Sequence, residues 1–301
     1  MVELPKGNTN ENVQEKEQDK ERDFRYLSPQ TRRQITSALA AATGVVGFGC
    51  LLGYTSSAGP QLMSPKGEGG LGMTTEEYSM FSSCFNLGAI GGSLLAALGM
   101  RRIGGRLTMI AAAPLFFAGS LTIALGWSYW VLVCGRVCAG VAVGVVTTAS
   151  PPYIAEIASP HIRGALGTLV PLMLTLGVLF MYSMGSVLEW RWLAVVCVVP
   201  NLIHFLLLVF ASTKLPSTLV SQGKLQEAQD VLRYLRGEDH GVMGEMKELE
   251  MLQKAREKMR VMEALREPHV LRPLVLAVIL MSLINSSGIP AIQLNIVTIF
   301  K

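Results

Sequence analysis

Long uncharged, apolar stretches separated by short charged ones make up most of this chain. Each stretch is close to the ~20 apolar residues that cross the hydrocarbon core of a bilayer as an α-helix. Backbone amides in lipid must find hydrogen-bond partners within their own segment, which a helix provides. The pattern predicts seven spanning helices, at residues 36–57, 78–99, 107–126, 130–153, 164–187, 192–212 and 273–299.

Two segments outside these stretches are polar. Residues 1–34 are charged and lack the apolar core of a secretory signal peptide, so we expect a disordered cytosolic tail. Residues 214–271 carry charges of both signs with apolar residues at helical spacing, such as Leu225 and Leu232 before Gly237. We expect a small cytosolic helical domain here, with an amphipathic membrane-surface helix as the alternative.

These segments predict four parts along the chain. Residues 1–34 form the tail, residues 35–213 a six-helix transmembrane bundle, and residues 214–271 the cytosolic helical domain. Residues 272–301 would be a seventh transmembrane helix. Because the chain stops after that helix, we expect a fragment, a truncated gene product or a divergent non-transporting relative.

Composition and charge agree with a multi-pass membrane protein. Hydrophobic residues make up 50% of the chain and charged residues 16%, against about 25% charged in soluble domains. The Lys/Arg-rich connections, which contain Arg32, Arg101, Arg102, Arg106 and Arg163, fall on one side if the spans alternate. Positive loops are cytoplasmic, so we expect a cytoplasmic N terminus, with the plasma membrane as the expected location. The net charge of +4 reflects this asymmetry and indicates no nucleic-acid partner.

The residues do not indicate an enzyme. No His, Cys and carboxylate constellation has catalytic or metal-ligand spacing, and the five cysteines fall within spans or at their edges. Packing is the favoured role of these cysteines, with disulfide or metal chemistry the lesser alternative. No cofactor and no metal site are expected.

A specific motif lies around the fourth and fifth spans. Residues 135–182 begin with GR, continue with P-x-Y-x-x-E ending at Glu156, and open the next span with RG at Arg163. This stretch closely resembles the sugar porter family of the major facilitator superfamily. EWRW at 189–192 and the helical segment after the sixth span resemble that family as well. The resemblance implies an all-α membrane protein with the major facilitator fold, in which a six-helix half is followed by a cytosolic segment and further spans.

The resemblance assigns roles to charged residues at the ends of spans. It implies that Glu156 and Arg163, with Arg102 and Arg106, form a cytoplasmic charge cluster that is made and broken during transport. A partly buried ion pair suits such a gate because its desolvation cost is close to its Coulomb gain. A generic pair at helix ends is the alternative for Glu156 and Arg163.

The resemblance also assigns residues that brace the bundle. These are Gly135 and Arg136 at the start of the fourth span, and Trp190 and Arg191 at the start of the sixth. The alternative for Arg136 is that its side chain snorkels to the membrane surface.

Several positions depart from the family pattern. Arg101 stands where the family has Asp, Pro171 stands where it has a sugar-binding Gln, and INSSGIP at 284–290 replaces QQLSGIN. Sugar hydroxyls are bound by groups that donate and accept hydrogen bonds. The candidates that remain in the seventh span are Asn285, Ser287, Gln293 and Asn295. Hydrogen bonding between helices is the alternative role for these residues.

The combined hypothesis is a sugar transporter of the alternating-access type. No carboxylate lies deep in any predicted span, and proton coupling needs a buried proton carrier. Facilitated diffusion of a glucose- or trehalose-like sugar is therefore favoured over symport. The alternative is a non-transporting relative that acts as a sensor or a partner subunit, or is a gene fragment. The expected partners are a small sugar and the lipid bilayer.

Overall fold

The computed structural model describes residues 28–65, 69–237, 242–258, 268–288 and 292. Within these ranges every regular element is a helix. In chain order the helices are α1 (Pro29–Met63), α2 (Thr75–Arg102), α3 (Gly105–Ala124), α4 (Tyr129–Ile157), α5 (Arg163–Gly167), α6 (Leu169–Gly185), α7 (Trp190–Val196), α8 (Val198–Phe210), α9 (Pro216–Ser221), α10 (Leu225–Arg236), α11 (Val242–Lys258) and α12 (Pro268–Ser286).

The first six predicted spans are confirmed as helices of membrane length. Stretches that are long and apolar enough to cross a membrane cover Pro29–Met63, Thr75–Arg102, Gly105–Ala124, Tyr129–Ile157, Arg163–Gly185 and Trp190–Phe210. The chain is therefore an integral, multi-pass membrane protein. The seventh span stays a prediction, because α12 contains the shorter apolar helix Val270–Ile284, and residues 289–291 and 293–301 lie outside the described residues.

The first helix begins where its capping signals indicate. The Ser28 hydroxyl accepts a hydrogen bond from the Thr31 amide at 3.2 Å, and Pro29 occupies the first helical position. α1 therefore begins inside the 1–34 segment that was expected to be a tail. Residues 1–27 of that tail lie outside the described residues.

Two spans are interrupted by prolines. α5 ends at Gly167, four residues before Pro171, and α7 ends at Val196, four residues before Pro200. Proline has no N–H to bond the carbonyl four residues earlier, and its ring clashes with that carbonyl. Each span that the hydropathy pattern predicts as one helix is consequently divided in two.

Glycines allow α2 and α4 to cross at very short range. A Cβ added at Gly92 would collide with the Val141 carbonyl oxygen of α4, and one added at Gly144 would collide with the Ala89 carbonyl oxygen of α2. Gly91, by contrast, faces open space. Small residues at these positions let the two backbones touch, which is how helices associate in lipid without a hydrophobic driving force.

The polar segment after the sixth span folds into α9, α10 and α11. Leu219, Ala228, Leu232 and Met246 form a buried cluster between these three helices. Leu235, near the end of α10, packs instead into the core at one end of the six-helix bundle. The segment is therefore attached to the bundle, and its contacts define the candidate site.

Candidate functional site

The carboxylate of Glu156 contacts the segment that follows the sixth span. Glu156 lies at the end of α4, and its Oε1 accepts a hydrogen bond from the Ser217 amide at 2.9 Å. Its Oε2 accepts a second one from the Ser217 hydroxyl at 2.7 Å. Ser217 follows Pro216 at the start of α9, where backbone N–H groups have no partner within the helix. The acid thus joins the end of α4 to the start of α9.

The predicted ion pair between Glu156 and Arg163 is not formed in this structure. Both residues are described, and no ion pair joins them. The exposed Arg163 guanidinium instead donates a long hydrogen bond to the Ala158 carbonyl at 3.5 Å. Ser217 supplies two hydrogen bonds to the carboxylate, and the Arg163 guanidinium lies exposed at the start of α5. A role of the pair in gating stays a prediction.

Arg106 forms a helix cap instead of joining a charge cluster. Its Nε and Nη2 donate to the Leu208 carbonyl at 3.1 and 2.9 Å. Nη2 also reaches the Val209 carbonyl at 2.9 Å, and Nε reaches the Ser212 hydroxyl at 2.7 Å. These carbonyls belong to the last turn of α8, whose unpaired acceptors and negative dipole end attract a cation. Arg106 therefore ties α3 to α8, whereas Arg102 is exposed at the end of α2.

Arg236 is a central residue of this end that the sequence analysis missed. Its Nη1 donates to the Ile157 carbonyl at 2.7 Å, which places the end of α10 against the end of α4. The opposite side of the guanidinium forms a bidentate pair with Glu245 of α11, at 3.2 Å from Nε and 3.1 Å from Nη2. The Arg236 side chain is only 9% exposed. The sequence feature that could have identified Arg236 is its position directly before the helix-ending Gly237, where a cation can reach free carbonyls.

Gln34 makes a second link that the sequence analysis missed. Its amide nitrogen donates to the Leu235 carbonyl at 2.7 Å, and its amide oxygen accepts from the Ser159 amide at 2.8 Å. The side chain is buried, and its two hydrogen bonds pair a backbone carbonyl of α10 and a backbone amide of the connection after α4. The neighbouring Arg33 guanidinium lies 4.0 Å from the centre of the Tyr234 ring. We call this end of the bundle, with Gln34, Glu156, Arg236 and Arg106, the Glu156 end.

Arg136 braces the opposite half of the bundle. It is completely buried, and its guanidinium donates to the Leu51 carbonyl at 3.2 Å and to the Thr55 hydroxyl at 2.8 Å, both on α1. The same group lies 4.9 Å from the Tyr54 ring centre and 4.5 Å from the Phe81 ring centre. The side chain thus points into the bundle and links α4 to α1 and α2. It does not snorkel towards the membrane surface.

The other predicted bracing residues, Trp190 and Arg191, join the start of α7 to neighbouring parts of the bundle. The Trp190 amide, at the start of α7, donates to the Gln61 side chain of α1 at 2.6 Å, and the Trp190 indole donates to the Gly69 carbonyl at 3.1 Å. Arg191 donates to the Ala124 carbonyl at the end of α3, 3.3 Å away. We call this end, with Arg136, Gln61, Trp190 and Arg191, the Arg136 end.

Gly135 contributes to the Arg136 end by its small size. A Cβ at this position would lie 2.8 Å from the Ile123 side chain and 2.9 Å from the Gly119 carbonyl oxygen of α3. The missing side chain therefore sets the close approach of α3 and α4 beside Arg136.

The candidate sugar ligands of the seventh span are only partly described. The Ser287 hydroxyl is exposed and donates to the Ile284 carbonyl at 2.6 Å, one turn earlier in the same helix. Asn285 lies in α12, but its side chain is outside the described part of the chain, as are Gln293 and Asn295 entirely. A role of these residues in binding sugar stays a prediction.

One buried histidine lies within the six-helix bundle. Nδ1 of His204 is 2.9 Å from the Ala40 carbonyl oxygen, and the ring packs against Gly44 of α1. His204 therefore packs between α8 and α1. In the part of the chain that the structure describes, no three His, Cys, Asp or Glu side chains are close enough to hold a metal ion.

Comparison with known proteins connects this architecture to transporters. The sequence matches the family described as "Sugar (and other) transporter" over residues 1–301. It is 36% identical over 276 residues to the solute carrier family 2, facilitated glucose transporter member 8 of Bos taurus, covering 91% of this chain and 56% of that protein. Identity to the facilitated trehalose transporter Tret1 of Apis mellifera ligustica is 30% over 276 residues, covering 89% of this chain and 54% of that protein. The chain spans about half the length of the curated relatives it matches.

Solved structures show the fold. The xylose transporter XylE from E. coli, in a partially occluded inward-open conformation, superposes with a TM-score of 0.72 at 22% identity, over 87% of this chain and 65% of that one. The same transporter, described as a major facilitator superfamily protein and bound to 6-bromo-6-deoxy-D-glucose, gives a TM-score of 0.63 at 22% identity, over 75% of this chain and 54% of that one. The expected all-α major facilitator fold is thereby confirmed.

Proposed function

The chain belongs to the sugar transporter family, and we propose that it moves a glucose- or trehalose-like sugar across the membrane by facilitated diffusion. The observation that carries the proposal is the family match over residues 1–301, with relatives named as facilitated glucose and trehalose transporters. These names favour the carrier over a non-transporting sensor or partner subunit.

The proposed mechanism is alternating access, in which a helical bundle rocks as a rigid unit around a sugar site at the membrane midplane. Rigidity is supported by Arg136, which links α4 to α1 and α2 from a fully buried position. It is supported further by the glycine contact between α2 and α4. We propose four parts along the chain: a cytosolic tail that ends before α1 begins at Pro29, a bundle that continues to residue 213, a cytosolic domain in 214–271 and a seventh span from 272.

The gate in this proposal is an exchange of partners by Glu156. In the present structure its carboxylate accepts two hydrogen bonds from Ser217. Arg163 lies exposed with one 3.5 Å contact to a carbonyl, which costs little to break. As the bundle rocks, Glu156 leaves Ser217 and pairs with a cation such as Arg163. A half-buried carboxylate suits this exchange because its gain in either state is close to its desolvation cost.

Facilitated diffusion is supported by the placement of acids. In the six described membrane-length stretches, the carboxylates are Glu76 and Glu77 in the first turn of α2 and Glu156 near the end of α4. None of them lies at mid-membrane, where a coupled proton carrier would be needed. For orientation we propose a cytoplasmic N terminus in the plasma membrane, with the Glu156 end facing the cytosol.

The direct test is uptake of labelled glucose and trehalose into cells that lack their own sugar transporters and express the protein. We expect saturable uptake of one of the two sugars, unchanged by a protonophore. Uptake equal to that of cells with empty vector would contradict the transport proposal. Saturable uptake abolished by the protonophore would contradict facilitated diffusion alone.

A further inference from the structure

A cavity between the bundle and the α9–α10 region is lined by both cations and apolar side chains. Its volume is about 170 Å³, and it lies between the turn that joins α2 to α3 and the segment around α9. Lys214 and Lys224 line it from one side, and Ile103 and Leu107 line it from the other. We propose that this cavity binds the headgroup of an anionic phospholipid from the adjacent membrane leaflet.

The position of the cavity favours a lipid over a soluble anion. Ile103 lies between the last residue of α2 and the first residue of α3, and Leu107 is in the first turn of α3. Both are at the end of a membrane-spanning helix, and both are exposed, 41% and 48% respectively. Exposed apolar side chains in a cavity that lysines also line offer, at this depth, a surface for acyl chains, which a free phosphate would leave unused.

The charge around the cavity is complementary to a phosphate group. Lys214 and Lys224 share one carboxylate, Glu227, at 3.4 and 3.9 Å, so the three side chains keep a net positive charge. All three are more than half exposed, and such pairs contribute little to stability. Either lysine can therefore turn to a phosphate without a large loss.

The backbone at the start of α3 adds positive potential and leaves room for a polar side chain. α3 begins at Gly105 with no side chain capping its first N–H groups, and Gly104 and Arg106 at this start line the cavity. The positive end of the α3 dipole therefore faces the same space as the lysines. Gly104 has a φ of +84°, and its missing side chain leaves room for Thr218, which also lines the cavity. An anion with a hydrogen-bonding headgroup matches this combination.

The test is retention of lipid by the purified full chain in native mass spectrometry, after incubation with micelles containing phosphatidylserine or phosphatidylcholine. We expect preferential retention of phosphatidylserine. The double variant Lys214→Gln/Lys224→Gln should bind phosphatidylserine roughly 30-fold more weakly, the factor expected for losing two lysines near an anionic surface. The double variant Lys214→Arg/Lys224→Arg keeps the charge and should retain the lipid.

The matched control is the double variant Lys247→Gln/Lys254→Gln, which removes the same charge from exposed positions on α11. It should bind phosphatidylserine as the unchanged protein does. Equal retention of the two lipids, or an equal loss in both glutamine variants, would overturn the proposal. Displacement of the bound lipid by excess inorganic phosphate would overturn the choice of a lipid over a soluble anion.

Discussion

The Arg136 end and the Glu156 end of the bundle are held together by different kinds of contact. At the Arg136 end, a fully buried guanidinium lies among aromatic rings and donates to α1, within the six-helix bundle. At the Glu156 end, side chains that range from the buried Gln34 to the half-buried Glu156 donate to or accept from backbone groups at helix ends, and several of their partners lie in α9–α11. Desolvated contacts are costly to break, whereas contacts near water can exchange partners. The comparison indicates a fixed end and an exchangeable end.

The largest effect should come from removing the buried guanidinium. The Arg136→Ala variant loses both hydrogen bonds to α1 and the ring contacts, and it leaves a cavity in the core. We expect a loss in free energy of unfolding of about 3–5 kcal/mol. The measurement is the thermal unfolding midpoint of the purified protein in detergent. The control is Arg102→Ala at the exposed end of α2, which should change stability by less than ~0.5 kcal/mol. Similar losses in both variants would contradict the brace.

The next largest effect is expected at the crossing of α2 and α4, which belongs to the fixed part of the bundle. In the Gly92→Ala variant the new methyl group meets the Val141 carbonyl oxygen, so the helices must separate. We expect a loss of about 1–3 kcal/mol, typical of overpacking. The adjacent Gly91→Ala variant adds the same methyl group in open space and should be neutral or slightly stabilising. Unfolding midpoints that fall equally in the two variants would show that this crossing is not tightly packed.

A smaller effect is expected where the α9–α11 segment attaches. The Arg236→Gln variant loses the bidentate pair with Glu245 and weakens the contact with the Ile157 carbonyl. We expect a local loss of about 1–3 kcal/mol, the cost of a charged hydrogen bond. Hydrogen–deuterium exchange should speed up in α10 and α11 while α1 and α4 stay protected. Arg233→Gln, at an exposed position of the same helix, should leave exchange unchanged. Equal acceleration throughout the bundle would contradict separate ends.

The smallest effect on stability is expected at Glu156, where a substitution should slow transport instead. In the Glu156→Gln variant the amide can still accept from the Ser217 backbone, so we expect a stability change below ~1 kcal/mol. The charge needed to pair with Arg163 is gone, and sugar exchange should slow several-fold at equal surface expression. Glu76→Gln, in the first turn of α2 at the other side of the membrane, should exchange sugar normally. Unchanged exchange in the Glu156 variant would rule out the gate.

The sequence predicted the spans better than the contacts between them. Hydropathy located six helices because lipid imposes length and composition on any spanning segment. The breaks at Thr168 and Cys197 were missed because proline leaves the length of an apolar stretch unchanged. Family motifs identified Arg136, whose burial could be argued from its place within a span.

The polar contacts at the Glu156 end show where sequence reasoning was insufficient. The sequence identifies Arg106 as a cation, but its partners are backbone carbonyls of α8. A pattern of acidic and basic residues does not show such partners. Gln34 and Arg236 look like ordinary exposed residues until α10 packs against the end of α4. The two donors that Ser217 gives to the Glu156 carboxylate are likewise absent from any pattern of charges.

The central claim is that the exchangeable Glu156 end faces the cytosol and the Arg136 end faces outside. Two exposed serines at opposite ends test it: Ser221 at the end of α9 and Ser186 between α6 and α7. In a background without native cysteines, Ser221→Cys and Ser186→Cys would be labelled with a membrane-impermeant maleimide. The account predicts labelling of Ser186→Cys in intact cells and of Ser221→Cys only after the plasma membrane is opened. Labelling of Ser221→Cys in intact cells would contradict it.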